Sequence, residues 1–117
     1  MTPLKYQQTL ELLHAIEVQL QQLELWSAQP PTDEALASQA PFCCDTMPFS
    51  AWLQFVLLPR MHVLVAGRLA LPAQISICPI AEEAFRSYGS AALPLINRIA
   101  DLDELLSGKR EQTVERR

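Results

Sequence analysis

Few side chains in this sequence have the types and spacing to do chemistry, and most of them gather in one stretch. Pro41 to Met61 reads PFCCDTMPFSAWLQFVLLPRM, an apolar run interrupted by a handful of polar groups. Asp45 opens it, Trp52 and Gln54 stand in the middle, and Arg60 and His62 close it. These five are the candidate binding residues. An aromatic wall, an amide, a guanidinium and a carboxylate could line a polar notch for a small ligand. The competing reading makes them structural polar groups, each satisfied by a neighbour. Arg60 is the most informative, because its sequence neighbours are apolar and an unpaired buried charge is costly. It must reach water or meet a carboxylate, with Asp45, Glu17, Glu82 and Asp101 as candidates.

Other chemistry is thinner. His62, Cys78 and one of Cys43 or Cys44 have the donor types for a metal or a thiol nucleophile, but no local spacing enforces the geometry, and small buried thiols explain the cysteines equally well. No GxGxxG, GxxxxGK[ST], HExxH or GxSxG occurs. Asp101 and Asp103 are two residues apart, which puts them on different helix faces as solvated charges. No catalytic residue, metal or cofactor is assigned, and an enzyme is not expected.

The candidate residues need a scaffold. Asp45 and Thr46 are good helix N-caps, and Pro48 suits a first turn. From Phe49 to Leu58 apolar residues fall on every side of a helical wheel, which predicts a buried central helix. A membrane span needs about 20 mostly apolar residues, and Gln54, Arg60 and His62 intrude too early. Pro59 lacks the donor for the carbonyl four residues back, so the helix must kink or end near Leu58. Met61 to Leu69 continue in helical pattern, with Gly67 near the end.

Around this core, Thr2 and Pro3 open a first helix predicted to run to about Trp26, with Tyr6, Leu10, Leu13, Ile16, Leu20 and Leu23 as its apolar stripe. His14 lies beside the stripe. Pro30 and Pro31 mark a linker, and Asp33 to Ala37 form a turn or two of helix. Ser76 to Pro79 starts another helix, capped by Ser76 or Cys78 and ended by Gly89. The last helix runs from about Ala91 to Leu106, with Asn97, Arg98, Asp101, Asp103 and Glu104 facing water and Gly108 at its C-terminal cap.

The fold class is therefore all-α. A single-domain bundle of about four to five helices surrounds the hydrophobic, proline-kinked central helix. The domain covers residues 1–108, and 109–117 form a disordered tail. At 117 residues the chain suits one domain, and a hydrophobic share of 50% argues against disorder. A net charge of −4 leaves no general basic surface for nucleic acid. Three cysteines without a CxxC pair, and no apolar signal core at the N-terminus, fit a reducing cytoplasm.

Pro41-Phe42, Asp45-Thr46-Met47, Trp52-Leu53-Gln54 and Pro59-Arg60-Met61 together resemble the YqcC-like family of small bacterial proteins. Ser38, Trp26 and Leu71-Pro72 add to the match, which covers nearly the whole chain. The resemblance implies an all-helical protein, often encoded beside a tRNA pseudouridine synthase, and it carries no catalytic residues. The expected function is a non-enzymatic accessory module that binds a protein partner, with that synthase as the implied partner. Direct nucleic-acid binding and membrane insertion are not expected, and a homodimer through an exposed face of the first or last helix is open. The alternative is a small-ligand domain using the notch at the central kink.

Overall fold

The computed structural model describes residues 3–110 and Gln112. The chain is an all-α bundle, and no strand occurs among the described residues. Its radius of gyration is 13.9 Å, close to the roughly 13 Å of a folded chain this long.

Helix α1, Pro3–Gln22, buries Leu13, Ile16 and Leu20 completely. The expected Thr2 cap lies outside the described residues. Leu10, expected in the buried stripe, is exposed, and Thr9 is buried instead, its hydroxyl donating to the Lys5 carbonyl at 2.8 Å. The helix also stops before Trp26. Glu24 takes a left-handed φ of 61°, the Leu25 N–H reaches the Leu20 carbonyl at 2.9 Å and the Glu24 N–H reaches Gln21 at 3.0 Å. That pair of bonds is a Schellman closure, usually built on glycine.

Helix α2, Asp33–Leu36, is one turn capped by the Thr32 hydroxyl, which accepts the Ala35 N–H at 3.1 Å. The loop that follows contains a 3-10 turn, Pro41–Cys43, in which Phe42 and Cys43 have φ of 57° and 51°. Asp45 and Thr46 brace this loop instead of capping the next helix. Asp45 accepts the Ser38 hydroxyl, and the Thr46 hydroxyl donates to the Ala35 carbonyl at 2.8 Å.

Helix α3 spans Phe49–Ala66 without a break. Pro59 neither ends nor splits it. The turn Leu53–Leu57 is π-helical, and the Leu58 N–H reaches the Leu53 carbonyl five residues back. Widening one turn makes room for the proline ring and excuses its missing donor. The helix is hydrophobic as expected, but it is a wall of the bundle and is not sunk inside it. Leu53, Leu57, Leu58 and Met61 enter the core, while Pro59, Arg60, His62, Val63 and Ala66 are exposed. Its length and mean hydropathy of 1.4 would suffice to cross a membrane, and 39% of it is buried in the bundle. It ends in a second Schellman closure, with Arg68 at φ 55° and Leu69 bonded back to the Leu64 carbonyl at 2.9 Å.

Helix α4, Cys78–Ala84, and helix α5, Leu93–Ser107, complete the bundle. Gly89 does not end α4; it sits inside the 3-10 segment Arg86–Ala92 that joins α4 to α5. The centre of the core is α5, which buries Leu95, Ile96, Ile99, Ala100, Leu102 and Leu106 against α1 and α4. Gly108 closes it at φ 83°, as its position in the sequence predicts.

Past Gly108 the chain does not simply trail away. Arg110 turns back onto α5, pairing with Asp101 at 2.6 Å and Glu104 at 3.1 Å, and the Gln112 amide donates to Asn97 at 2.6 Å. Burial alone would lower the Arg110 pKa, but hydrogen bonds and charge from the two carboxylates prevail and hold it above its ordinary value. The rest of the expected tail, residues 111 and 113–117, lies outside the described residues.

Candidate functional site

The five candidate residues do not converge on one notch. Gln54 is 7% exposed and fully engaged. Its Oε1 accepts the Ser27 N–H at 2.8 Å and its Nε2 donates to the Ser27 carbonyl at 2.8 Å, a two-bond clamp that fixes the loop after α1 onto α3. Arg60 and His62 stand in solvent on the outer side of α3, and no carboxylate among the described residues pairs with Arg60. Asp45 is a loop brace, as above. Glu17, once a candidate mate for Arg60, accepts from Gln21 one turn away.

Trp52 belongs to an aromatic cluster. It stacks on Phe49 at 5.6 Å with the rings 12° apart, and Phe42 meets it edge-on at 4.9 Å. Phe49 also contacts Phe85, which in turn contacts Tyr88. Offset and edge-on pairs at these separations are the favoured aromatic geometries. The left-handed Phe42 is what swings its ring onto Trp52, so local strain is held by packing. Beside the cluster a groove of about 380 Å³ is lined by Pro41, Phe42, Met47, Pro48, Phe49 and Ile80. Its walls are almost wholly apolar, and the single charge on its rim, Glu83, is already paired with Arg86 at 2.6 Å.

The residue that sequence reasoning misplaced most is Asp103. It is 1% exposed, and its Oδ2 accepts the Ile77 and Cys78 N–H groups, each at 2.8 Å. The N-terminus of α4 is thus capped from α5, and neither Ser76 nor Cys78 serves as the side-chain cap. A readable signal existed. Ile96, Ile99, Asp103 and Leu106 recur at spacings of three, four and three, which places the carboxylate on the buried face.

The three thiols do not assemble. Cys43 and Cys78 are buried, Cys44 is exposed and none forms a disulfide. Among the described residues no group of three or more His, Cys, Asp and Glu side chains is disposed to hold a metal ion. The arrangement offers binding surfaces: an aromatic-walled groove, and an outer face of α3 that carries no carboxylate.

Comparison with known proteins extends this picture. A solution NMR structure of YqcC from Escherichia coli superposes with a TM-score of 0.78 at 28% identity, covering 100% of this chain and 97% of the other. An uncharacterized protein of Haemophilus influenzae is 40% identical over 98 residues, 84% of this chain and 92% of that one. A tRNA pseudouridine synthase C from Pectobacterium carotovorum is 40% identical over 79 residues, which are 68% of this chain but only 21% of the relative. The DUF446 family model, described as tRNA pseudouridine synthase C, matches residues 8–105. On that match and the likeness in fold, the chain belongs to the YqcC-like DUF446 family.

Proposed function

We propose that this protein is a non-enzymatic accessory module that binds a tRNA pseudouridine synthase. One observation carries the reading. In the Pectobacterium relative, a 79-residue segment 40% identical to this chain makes up 21% of a much longer protein described as a tRNA pseudouridine synthase. A domain joined to a catalytic chain in one organism and separate in another is a natural candidate to bind that chain where the two are separate. Covalent linkage supplies a high effective concentration, so a free-standing version must hold its partner through its own surface.

The side chains support a binding role over catalysis. The polar candidates in the central stretch either hold the fold together, as Gln54 and Asp45 do, or stand in solvent without an ion pair among the described residues, as Arg60 and His62 do. A net charge of −4 disfavours direct grip on tRNA. Three cysteines without a disulfide among the described residues fit action in the cytoplasm.

The test is direct. Purified synthase and purified chain, mixed and passed over a sizing column, should co-elute as a complex, and the chain should change the synthase's pseudouridine yield or its stability. Separate elution across micromolar concentrations, with no change in either property, would remove the reading.

A further inference from the structure

The charges of this protein are sorted in space. Thirteen acidic residues outnumber nine basic ones, yet residues 1–10 and 46–81 contain no aspartate or glutamate at all. The fold brings these two acid-free segments together. The Tyr6 hydroxyl donates to the Leu69 carbonyl at 2.7 Å, and the Arg68 guanidinium lies over the Tyr6 ring at 6.0 Å, so the start of α1 meets the end of α3.

What this corner presents is unlike the rest of the surface. The three most exposed large aliphatic side chains among the described residues are Leu4 at 65%, Val63 at 63% and Leu69 at 49%, and all three are here. Pro59, Val63 and Ala66 fall at helical spacing along the outer side of α3, with Arg60 one turn before Val63. The cations differ in kind too. Elsewhere Arg86, Arg98 and Arg110 each pair with a carboxylate, and Lys109 is the described exception. Lys5, Arg60 and Arg68 have no ion pair among the described residues.

Apolar side chains rimmed by uncompensated cations, on a protein otherwise acidic, make a self-consistent docking surface. We infer that the corner formed by the start of α1 and the outer face of α3 is where the tRNA pseudouridine synthase docks, through an apolar patch of the synthase rimmed by carboxylates. This rests on the reading above and adds to it the surface and the chemistry of the partner's face. RNA is the poorer occupant. Single-stranded bases want several open aromatic faces to stack on. The corner's most exposed large groups are aliphatic, the Tyr6 ring lies under Arg68 and only the small His62 ring is open there among the described residues. A membrane surface is also poorer, because three fixed cations are few beside thirteen acids elsewhere on the chain.

The experiment measures affinity of the full chain for purified synthase by calorimetry at two salt concentrations. Variants are Val63→Asp, the pair Arg60→Glu with Arg68→Glu, and Glu34→Lys on the exposed α2 as control. Every substituted side chain is exposed, and a thermal melt of each variant checks folding. The expected result is wild-type binding that weakens with salt, a loss of at least about tenfold in Val63→Asp and in the double reversal, and no change in Glu34→Lys. Wild-type binding that both corner variants retain would overturn the inference and leave the accessory role standing. No wild-type binding to the synthase would overturn both. Titrations with tRNA alone and with phosphatidylglycerol vesicles complete the test: binding to either, lost in the corner variants while synthase binding persists, would also overturn the assignment.

Discussion

Asp103 and Cys78 are twenty-five residues apart in sequence and joined by a 2.8 Å hydrogen bond, with the carboxylate of α5 accepting the backbone N–H that opens α4. The same oxygen accepts from Ile77. A buried carboxylate at a helix N-terminus satisfies orphan donors and meets the positive end of the helix dipole. Asp103→Ala leaves both donors buried without this acceptor and should cost about 2–4 kcal/mol. Asp103→Asn keeps an acceptor but loses the charge and should cost about half as much. Urea unfolding of the two variants checks the order; equal, small losses would mean the cap contributes little.

Gln54 presents a parallel case on the other side of the bundle. Its amide replaces a backbone partner for Ser27, bonding both the N–H and the carbonyl. Gln54→Leu preserves size but removes both bonds and should cost about 1–3 kcal/mol. The loss should show locally, as faster amide exchange from Leu25 to Gln29, before any change in the α5 core.

Arg60 tests the contrast between sequence and structure. A buried ion pair there predicts a loss of about 3–5 kcal/mol on truncation to alanine. The exposed side chain predicts a change within about 0.5 kcal/mol, the usual range for a surface substitution. The corner's docking role therefore separates cleanly from stability: Arg60→Ala should leave the melting curve unmoved.

Two helices close on charged residues where glycine is the usual choice. Glu24 and Arg68 take φ of 61° and 55°, a conformation that costs a side chain roughly 1–2 kcal/mol. Glu24→Gly should stabilise by about 0.5–1 kcal/mol, the gain being reduced by the greater freedom of glycine in the unfolded chain. Thermal melts would show it as a higher Tm, and an unchanged or lower Tm would contradict the strain.

Arg110 anchors the chain beyond α5 through Asp101 and Glu104. Its pKa is raised in the folded protein, so its stabilisation is complete below the ordinary arginine value and is lost only as pH climbs past the raised one. Across neutral pH Arg110→Ala should thus cost a constant amount, about 0.5–1 kcal/mol, and that cost should shrink in high salt.

The sequence made the helices legible wherever periodicity and punctuation agreed. Pro79 sits in the first turn of α4 and Gly108 closes α5, both as residue chemistry dictates. It failed where a long-range partner decided the outcome. Nothing near Asp103 reveals that the start of α4 will need its carboxylate, and nothing near Gln54 points to Ser27. The roundly hydrophobic wheel of α3 misled for another reason. Apolar residues on all sides signal that a helix will be covered, but not whether its own chain does the covering. The groove beside Phe42 was hidden as well, because two successive left-handed residues without glycine leave no local signature.

The widened turn at Leu53–Leu57 carries a consequence for changes in chain length. A π-helical turn holds one residue more than its α-helical counterpart, so everything after it is rotated by about 100° relative to an unbroken helix. Shortening α3 by a single residue there would let the ordinary repeat return and absorb the change, leaving Val63 and Arg60 on the outer side and Leu58 and Met61 in the interior. The same deletion beyond Leu58, where no extra residue is stored, would rotate everything after it by about 100° and turn that end of the bundle's wall inside out.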